Sequence, residues 1–239
     1  MATPIFDSFG PFPSANFGGD GIPNDSVAAS KQVIDGDTTI TIALSATQRF
    51  SNPPLTDDGA GTYFATPGSN FGGEPEGVLT DTEGALWNFN FFIDVDGPGA
   101  EIKNYQVVLL YDFDTGVDTD FSSLGVIDVT AGILAAEALA VLNGDPVVPT
   151  TRVEGSENLL FGFLATSVPG LVTPPAGLSF DPGVAGEYTF AIGVSKPGPP
   201  GFGFPIESVA IDVVVVPEPA TASLAGFAMM GLLGARRRR

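Results

Sequence analysis

The sequence predicts an all-β protein built as an antiparallel β-sandwich with one short helical insertion. Three observations predict this fold. Apolar residues recur with a period of two in several segments, 31 Gly and 21 Pro interrupt those segments, and 44% of the 239 residues are hydrophobic, which is enough to fill one core. A jelly-roll or immunoglobulin-like arrangement accommodates strands of this length, and a closed barrel is the alternative.

Six segments carry the alternation, and in each of them the apolar residues predict one buried face of a strand. The predicted buried residues are Ile40, Ile42 and Leu44; Trp87, Phe89, Phe91, Ile93 and Val95; Tyr105, Val107, Leu109, Tyr111 and Phe113; Leu159, Phe161 and Phe163; Tyr188, Phe190, Ile192 and Val194; and Val209, Ile211, Val213 and Val215.

Turn residues predict how some of these strands are connected. The turn Asp35–Asp37 precedes the first of them, and Asp96–Gly99 lies between the second and the third, which we therefore expect to pair as antiparallel neighbours. Asn88, Asn90 and Asp94 lie opposite the apolar face of the second strand, as in a strand buried on one face only. Shorter strands are predicted at 62–64, 125–129 and 150–153.

The segment Ala131–Leu142 departs from this pattern because it is rich in Ala and Leu. Thr130 is a suitable N-cap, and Gly144 follows as a suitable C-terminal residue. We therefore expect a short helix inserted in the β domain.

The composition excludes several kinds of active site. The chain contains no cysteine and no histidine, which rules out disulfides, Ser-His-Asp and Cys-His catalysis, and most transition-metal sites. Paired carboxylates remain available for glycoside hydrolysis, but no local motif selects a pair. We expect a protein that is not an enzyme.

The charge of the chain restricts its partners. Up to Val216 the sequence holds five Lys and Arg against 27 Asp and Glu, a net charge near −22. Nucleic acids and anionic lipid surfaces are poor partners for such a body, whereas cations and neutral polysaccharides are suitable ones.

One acidic segment is a candidate cation site. Asp112, Asp114, Asp118 and Asp120 alternate with other residues around Gly116, and a turn at that glycine would bring their oxygens together, with calcium as the natural ion. The segment does not follow the EF-hand pattern, which requires a bidentate Glu at its twelfth position. An acidic hairpin loop with solvated side chains is the alternative.

The final 23 residues contain three successive features: the triplet Pro217-Glu218-Pro219, an apolar run Ala220–Ala235, and the basic cluster Arg236, Arg237, Arg238 and Arg239. As a helix the run would extend about 24 Å, which is short for a hydrocarbon core of about 30 Å. The run predicts a transmembrane helix that serves as a temporary anchor. The arginines would remain on the cytoplasmic side, and the body would lie across the membrane.

At these residues the chain resembles the PEP-CTERM sorting signal, the tag that bacterial exosortases recognise. The resemblance implies that an exosortase, a membrane peptidase, cuts near Pro217, Glu218 and Pro219 and removes the helix. It also implies a Gram-negative bacterium that makes exopolysaccharide. We therefore expect an exported domain at 1–216 and a sorting signal at 217–239.

The body has a looser resemblance of its own. Its segments WNFNFFIDV, YDFD and GEYTFAIGV are similar to the β-sandwich ectodomains common among PEP-CTERM proteins. This resemblance implies a fold and a location, and it implies no activity.

Export normally requires an N-terminal leader, and Met1–Pro13 has neither a basic start nor a continuous apolar stretch. We expect a leader upstream of Met1, in preference to a chain that is not exported.

Together these features predict an exported, non-catalytic protein of the cell surface or extracellular matrix. We expect it to be anchored transiently in the inner membrane, to move to the cell envelope or beyond, and to associate with exopolysaccharide or biofilm. A carbohydrate-binding or carbohydrate-active β-sandwich module is the alternative, to which the aromatic residues would contribute sugar contacts.

Overall fold

A computed structural model describes residues 4–16, 27–49, 54–70, 83–117, 119–197 and 205–217. The described strands, in chain order, are β1 (Ser8–Pro11), β2 (Val27–Asp35), β3 (Thr38–Gln48), β4 (Thr56–Asp57), β5 (Thr62–Ala65), β6 (Ser69–Asn70), β7 (Gly84–Ala85), β8 (Trp87–Asp96), β9 (Gln106–Tyr111), β10 (Gly125–Asp128), β11 (Arg152–Glu157), β12 (Val172–Thr173), β13 (Gly186–Ser195) and β14 (Pro205–Val215). The α-helix α1 (Val129–Asn143) lies between β10 and β11, and short 3₁₀ helices span Ile102–Asn104 and Phe121–Ser123.

Within the described residues the strands form two large sheets and a small one. The five-stranded sheet has the order β1-β2-β3-β8-β11, the seven-stranded sheet has the order β12-β10-β9-β13-β14-β5-β4, and β6 pairs with β7. The neighbours in the two large sheets are antiparallel, except that β5 runs parallel to β14.

The two large sheets face each other across one core, as expected for a sandwich. Phe89 of the five-stranded sheet stacks on Phe190 of the seven-stranded sheet, with ring centroids 4.4 Å apart. Trp87 is 2% exposed and packs its ring 5.7 Å from that of Tyr188. The all-β prediction is therefore confirmed, and the alternating faces supply the apolar contacts.

Most of the predicted strands are confirmed. The segments around Ile40, Trp87, Val107, Phe190 and Ile211 form β3, β8, β9, β13 and β14, and their predicted inward residues are buried. The predicted short strands at 62–64 and 125–129 correspond to β5 and β10, and the one predicted at 150–153 begins at Arg152 and extends to Glu157.

The predicted pairing of β8 with β9 is wrong, because the two strands lie in different sheets. After Asp96 the chain crosses to the other sheet instead of turning back. Gly97 permits this path because it has no side chain. A Cβ atom at this position would lie only 2.8 Å from the carbonyl oxygen of Asp37. Ile102 is fully buried in the crossing segment and donates its N–H to the carbonyl of Thr150.

The predicted strand at Leu159–Phe163 is also wrong, since this segment forms successive turns. The side-chain oxygen of Asn158 accepts the N–H of Leu160, and the backbone oxygen of Asn158 accepts the N–H of Phe161. These local bonds start a turn in place of a sheet ladder. Leu159 is buried, but Phe163 is 42% exposed.

The predicted helix is confirmed as α1, but its N-cap is Asp128, and not Thr130. The Oδ1 of Asp128 accepts the N–H of Ala131 at 2.8 Å, as an N-cap does. Thr130 is buried, and its hydroxyl donates to Tyr105 O and accepts from Val107 N, both at 2.9 Å. Gly144 ends the helix in the left-handed conformation.

The second face of β8 is more buried than the alternation predicted. Asn90 is fully buried, and Phe92 is 1% exposed against Phe12, whose ring lies 5.2 Å from that of Phe92. Ala15 and Ala28 belong to the same small cluster. The N-terminal segment therefore covers part of the outer face of the five-stranded sheet.

In the part of the chain that the structure describes, no helix has the length and apolar character required to cross a membrane. The predicted transmembrane helix Ala220–Ala235 lies outside the described residues.

The buried amide of Asn158 offers a test of the fold. Its oxygen accepts from Ala85 N and Leu160 N, and its nitrogen donates to Ala85 O, Trp87 O and the side chain of Asn88. Asn158→Ala leaves these groups without partners, so we expect the free energy of unfolding to fall by about 2–4 kcal/mol in urea denaturation.

Asn143→Ala at the exposed end of α1 is the control, with an expected change within about 0.5 kcal/mol. Equal stabilities of the two variants would contradict a structural role for the Asn158 amide.

Candidate functional site

The candidate site is the place where the folded body joins the C-terminal motif. The strand β14 lies between β13 and β5, and its last residue, Val215, pairs with Gly186 on one side and Ala65 on the other. Val215 is 2% exposed. The next residue, Val216, still donates its N–H to the carbonyl of Ala65 at 2.9 Å.

The sheet ends immediately before the predicted sorting triplet. Val216 is 42% exposed, and Pro217 is exposed. Proline has no N–H to continue the ladder, so the chain leaves the sheet here. Glu218, Pro219 and the arginines Arg236–Arg239 lie outside the described residues.

The predicted acidic segment lies at the same end of the sandwich. It follows Tyr111, the last residue of β9, and its Thr115 carbonyl accepts the N–H of Glu187 at 3.3 Å. Glu187 is next to Gly186, the partner of Val215. The acidic loop and the start of the motif are therefore neighbours.

In this loop the predicted carboxylates bind nearby backbone groups. Oδ1 of Asp112 accepts Asp114 N at 2.7 Å, that of Asp114 accepts Gly116 N at 2.9 Å, and that of Asp120 accepts Ser122 N at 2.8 Å. Burial raises the pKa of Asp112, whereas the hydrogen bond from Ser122 lowers that of Asp120. These bonds stabilise turns of the loop.

The fourth predicted ligand, Asp118, lies outside the described residues. Among the described residues there is no group of three or more acidic side chains placed to hold a metal ion. The calcium site at Asp112, Asp114, Asp118 and Asp120 stays a prediction.

A cleft of about 420 Å³ opens beside the same junction. Phe64 and Thr66 line it and flank Ala65, whose carbonyl binds Val216. Arg49 also lines the cleft, and its Nη1 donates to the backbone and side-chain oxygens of Asn70. The junction is thus bordered by a cleft with both polar and apolar lining residues and by an acidic loop.

Glu157 has an unusual environment for a carboxylate in this protein. It ends β11 and pairs with Phe89, whose side chain lies in the core. Paired residues point to the same face, so Glu157 points inward at the edge of the sheet. Burial raises its pKa to about 7. An inward charge on an edge strand discourages further strand pairing.

A second concave surface lies on the outer face of the five-stranded sheet. This groove has a volume of about 360 Å³, and its lining comprises Ser8, Ser30, Gln32 and Thr41 of β1–β3 together with Asp7, Phe12 and Lys31. Lys31 is paired with Asp7 and Glu207, so the hydroxyl, amide and aromatic groups remain for a neutral polar ligand.

Neither the inward position of Glu157 nor the outer groove was predicted from the sequence. The inward position of Glu157 follows from the period of two through Val153 and Gly155, but the strand itself was predicted to end at Val153. The groove depends on the sheet position of β1 and β2, which carry no strong alternation and were not predicted as strands.

Comparison with known proteins bears on the C-terminal motif. Residues 215–239 match the family model of the PEP-CTERM protein-sorting motif, a range that includes Pro217–Pro219 and Arg236–Arg239. This motif implies an exported protein that an exosortase processes. No curated protein and no solved structure matches the chain.

The raised pKa of Glu157 predicts a pH dependence of stability. Its folded-state pKa of about 7 lies above the ordinary value of 4.5, so the folded state holds the proton more tightly. The contribution of this group to stability is therefore greatest below pH 4.5 and is lost as the pH rises through 7. Glu157→Gln should be more stable than the native chain at pH 8 by about 2 kcal/mol, allowing for partial exposure.

The measurement is the free energy of unfolding of both proteins between pH 4.5 and 8. Glu154→Gln, on the opposite face of the same strand, is the matched control for loss of a negative charge. Parallel curves for the native chain and Glu157→Gln would contradict the raised pKa.

Proposed function

We propose that this chain is a non-catalytic protein of the cell surface or extracellular matrix, sorted by an exosortase and associated with exopolysaccharide or biofilm. In this proposal the C-terminal helix anchors the protein in the inner membrane of a Gram-negative bacterium until cleavage near Pro217, Glu218 and Pro219. The body then passes to the cell envelope or the exterior.

The observation that carries this proposal is the direct continuity of β14 with the sorting motif. Val215 is held on both sides in the sheet, while Pro217, two residues later, is exposed. Cleavage at or after the triplet would remove the tail and leave every pairing of β14 intact. The body would therefore keep its core after processing.

The composition supports a non-catalytic body. Histidine and cysteine are absent from the sequence, which removes the most common general base and the most reactive nucleophile. The raised pKa of Glu157 has burial as its cause, and an inward position at a sheet edge gives that group a structural explanation.

Replacement of the triplet tests the sorting step. We expect the chain, produced with an export leader in a bacterium that has an exosortase, to lose its tail and leave the membrane fraction. A variant with Pro217, Glu218 and Pro219 all changed to Ala should retain full length and remain in that fraction. Immunoblots of fractionated cells measure both properties.

The matched control changes Pro197, Gly198 and Pro199 to Ala, since this is another Pro-x-Pro sequence of the same chain. The control should be processed like the native protein. If the Pro217–Pro219 variant were also processed normally, the sorting proposal would be lost.

The outer groove favours one alternative function, a carbohydrate-binding module. Polysaccharides present hydroxyl groups and apolar ring faces together, which suits the polar side chains of β1–β3 beside Phe12. A strongly acidic body would bind a neutral polysaccharide in preference to an anionic one.

Affinity electrophoresis of the purified chain with neutral matrix polysaccharides tests this alternative. Phe12→Ala should weaken binding by up to about tenfold, because it removes the aromatic surface. Phe163→Ala, which removes an exposed ring elsewhere, should not. The alternative fails if the native chain does not bind, or if both variants bind equally.

A further inference from the structure

The cleft beside Ala65 borders the point where the C-terminal motif leaves the sheet. Its volume of about 420 Å³ is typical of a site for a small ligand, for which about 300–1,000 Å³ is usual. Leu55, Phe64 and Leu86 supply apolar surface, and Arg49 is the one charged residue that the structure describes in its lining. The cleft therefore combines apolar surface with a positive charge.

The guanidinium of Arg49 has a fixed place in this cleft. Its Nη1 donates to the backbone and side-chain oxygens of Asn70, at 2.6 and 3.1 Å. Gly84 leaves room for it, because a Cβ atom at Gly84 would overlap the guanidinium carbon. Burial lowers the pKa of Arg49, which shows that its charged form loses hydration here. A nearby anion offsets such a loss.

The end of β14 brings a carboxylate to the edge of the cleft. Val216 donates its N–H to the carbonyl of Ala65, and Thr66 and Asn70, which follow in the same segment, line the cleft. Glu218 comes two residues after Val216 in the sequence, a span of at most about 7 Å. The first acidic residue of the tail is thus tethered beside the cation of the cleft.

The opposite side of β14 is unfavourable for that carboxylate. Gly186, the other partner of the last residue of β14, lies directly against Thr115 of the acidic loop. Asp114 and Glu187 are next to these two residues in the chain. A tail that turned to this side would bring like charges together, whereas a tail that turned to the cleft would meet Arg49.

The triplet also has the apolar groups that suit the cleft. Pro217 and Pro219 restrict the backbone on both sides of Glu218 to an extended conformation. Extended proline segments bind grooves that contain aromatic side chains, and Phe64, which is 36% exposed, presents a ring in this cleft. An arginine in turn binds a carboxylate through two parallel hydrogen bonds.

We propose that the triplet Pro217-Glu218-Pro219 docks in this cleft of its own chain, with the carboxylate of Glu218 bound to the guanidinium of Arg49. Because the triplet is joined directly to β14, its effective concentration at the cleft is on the order of millimolar, and a weak contact is sufficient. The docked triplet is shielded by the body, so undocking precedes cleavage. The shielding rests on the proposed sorting function, whereas the docking does not.

Pairs of cysteines in the full chain, held in detergent micelles, test the docking, because the native chain has no cysteine. Ala220→Cys places one thiol directly after the triplet. Thr66→Cys places the second thiol in the cleft, and Thr115→Cys, on the acidic side, is the matched control; both threonines are exposed. With a mild oxidant, the intramolecular disulfide should form about fivefold faster with Thr66→Cys than with Thr115→Cys.

Glu218→Gln removes the charge of the tail and leaves the folded body unchanged. It should slow disulfide formation about fivefold with Thr66→Cys and should not slow it with Thr115→Cys, because only the first reaction depends on the pairing with Arg49. Arg49→Gln should act in the same way, with circular dichroism to show that the fold is retained. Equal effects of Glu218→Gln on the two reactions would overturn the docking.

The shielding is tested in cells that contain an exosortase. Arg49→Gln should lose its tail about fivefold faster than the native chain, whereas Lys196→Gln, which removes a positive charge next to the other end of β14, should not. An unchanged rate for Arg49→Gln would overturn the shielding. If no variant is processed, the sorting proposal fails and the shielding fails with it, while the disulfide reactions, which need no exosortase, still decide the docking.

Discussion

Burial of the strand β14 links the apolar core to the C-terminal motif. Its inward side chains Val209, Ile211, Val213 and Val215 are between 0 and 2% exposed, and its backbone is paired with β13 along one edge and with β5 along part of the other. The strand therefore contributes to the core and fixes the point where the sorting motif leaves the body. Both features follow from the same apolar period of two.

The apolar core must supply most of the stability because the sequence offers no disulfide. Lys31, Lys103, Arg152 and Lys196 each pair with a carboxylate, but partly exposed ion pairs contribute little. Stacked rings such as Phe89 and Phe190 join the two large sheets instead, and the amide of Asn158 binds the backbone of β7 and β8. A strongly acidic surface can surround this core because almost none of its charge is buried.

The two ends of the sandwich have different chemistry. The end that carries Pro217 also has the acidic loop and the cleft beside Ala65, whereas α1 begins at the opposite end, beside the start of β9.

The C-terminal motif, the strands β3, β8, β9, β13 and β14, and the helix α1 were predictable from the sequence alone, because local periodicity and local motifs are enough to specify them. Prediction from the sequence was wrong where contacts between distant residues override the local pattern. Ile102 is bound by Thr150, which sends β9 to the other sheet, and Asn158 binds Ala85, which ends β11 and begins the turns at Leu159–Phe163. Of the candidate sites, the sorting triplet is a local sequence pattern, whereas the outer groove and the inward Glu157 depend on which strands lie next to one another. Those neighbours are set by the folded chain, since strand pairing and burial join residues far apart in the sequence.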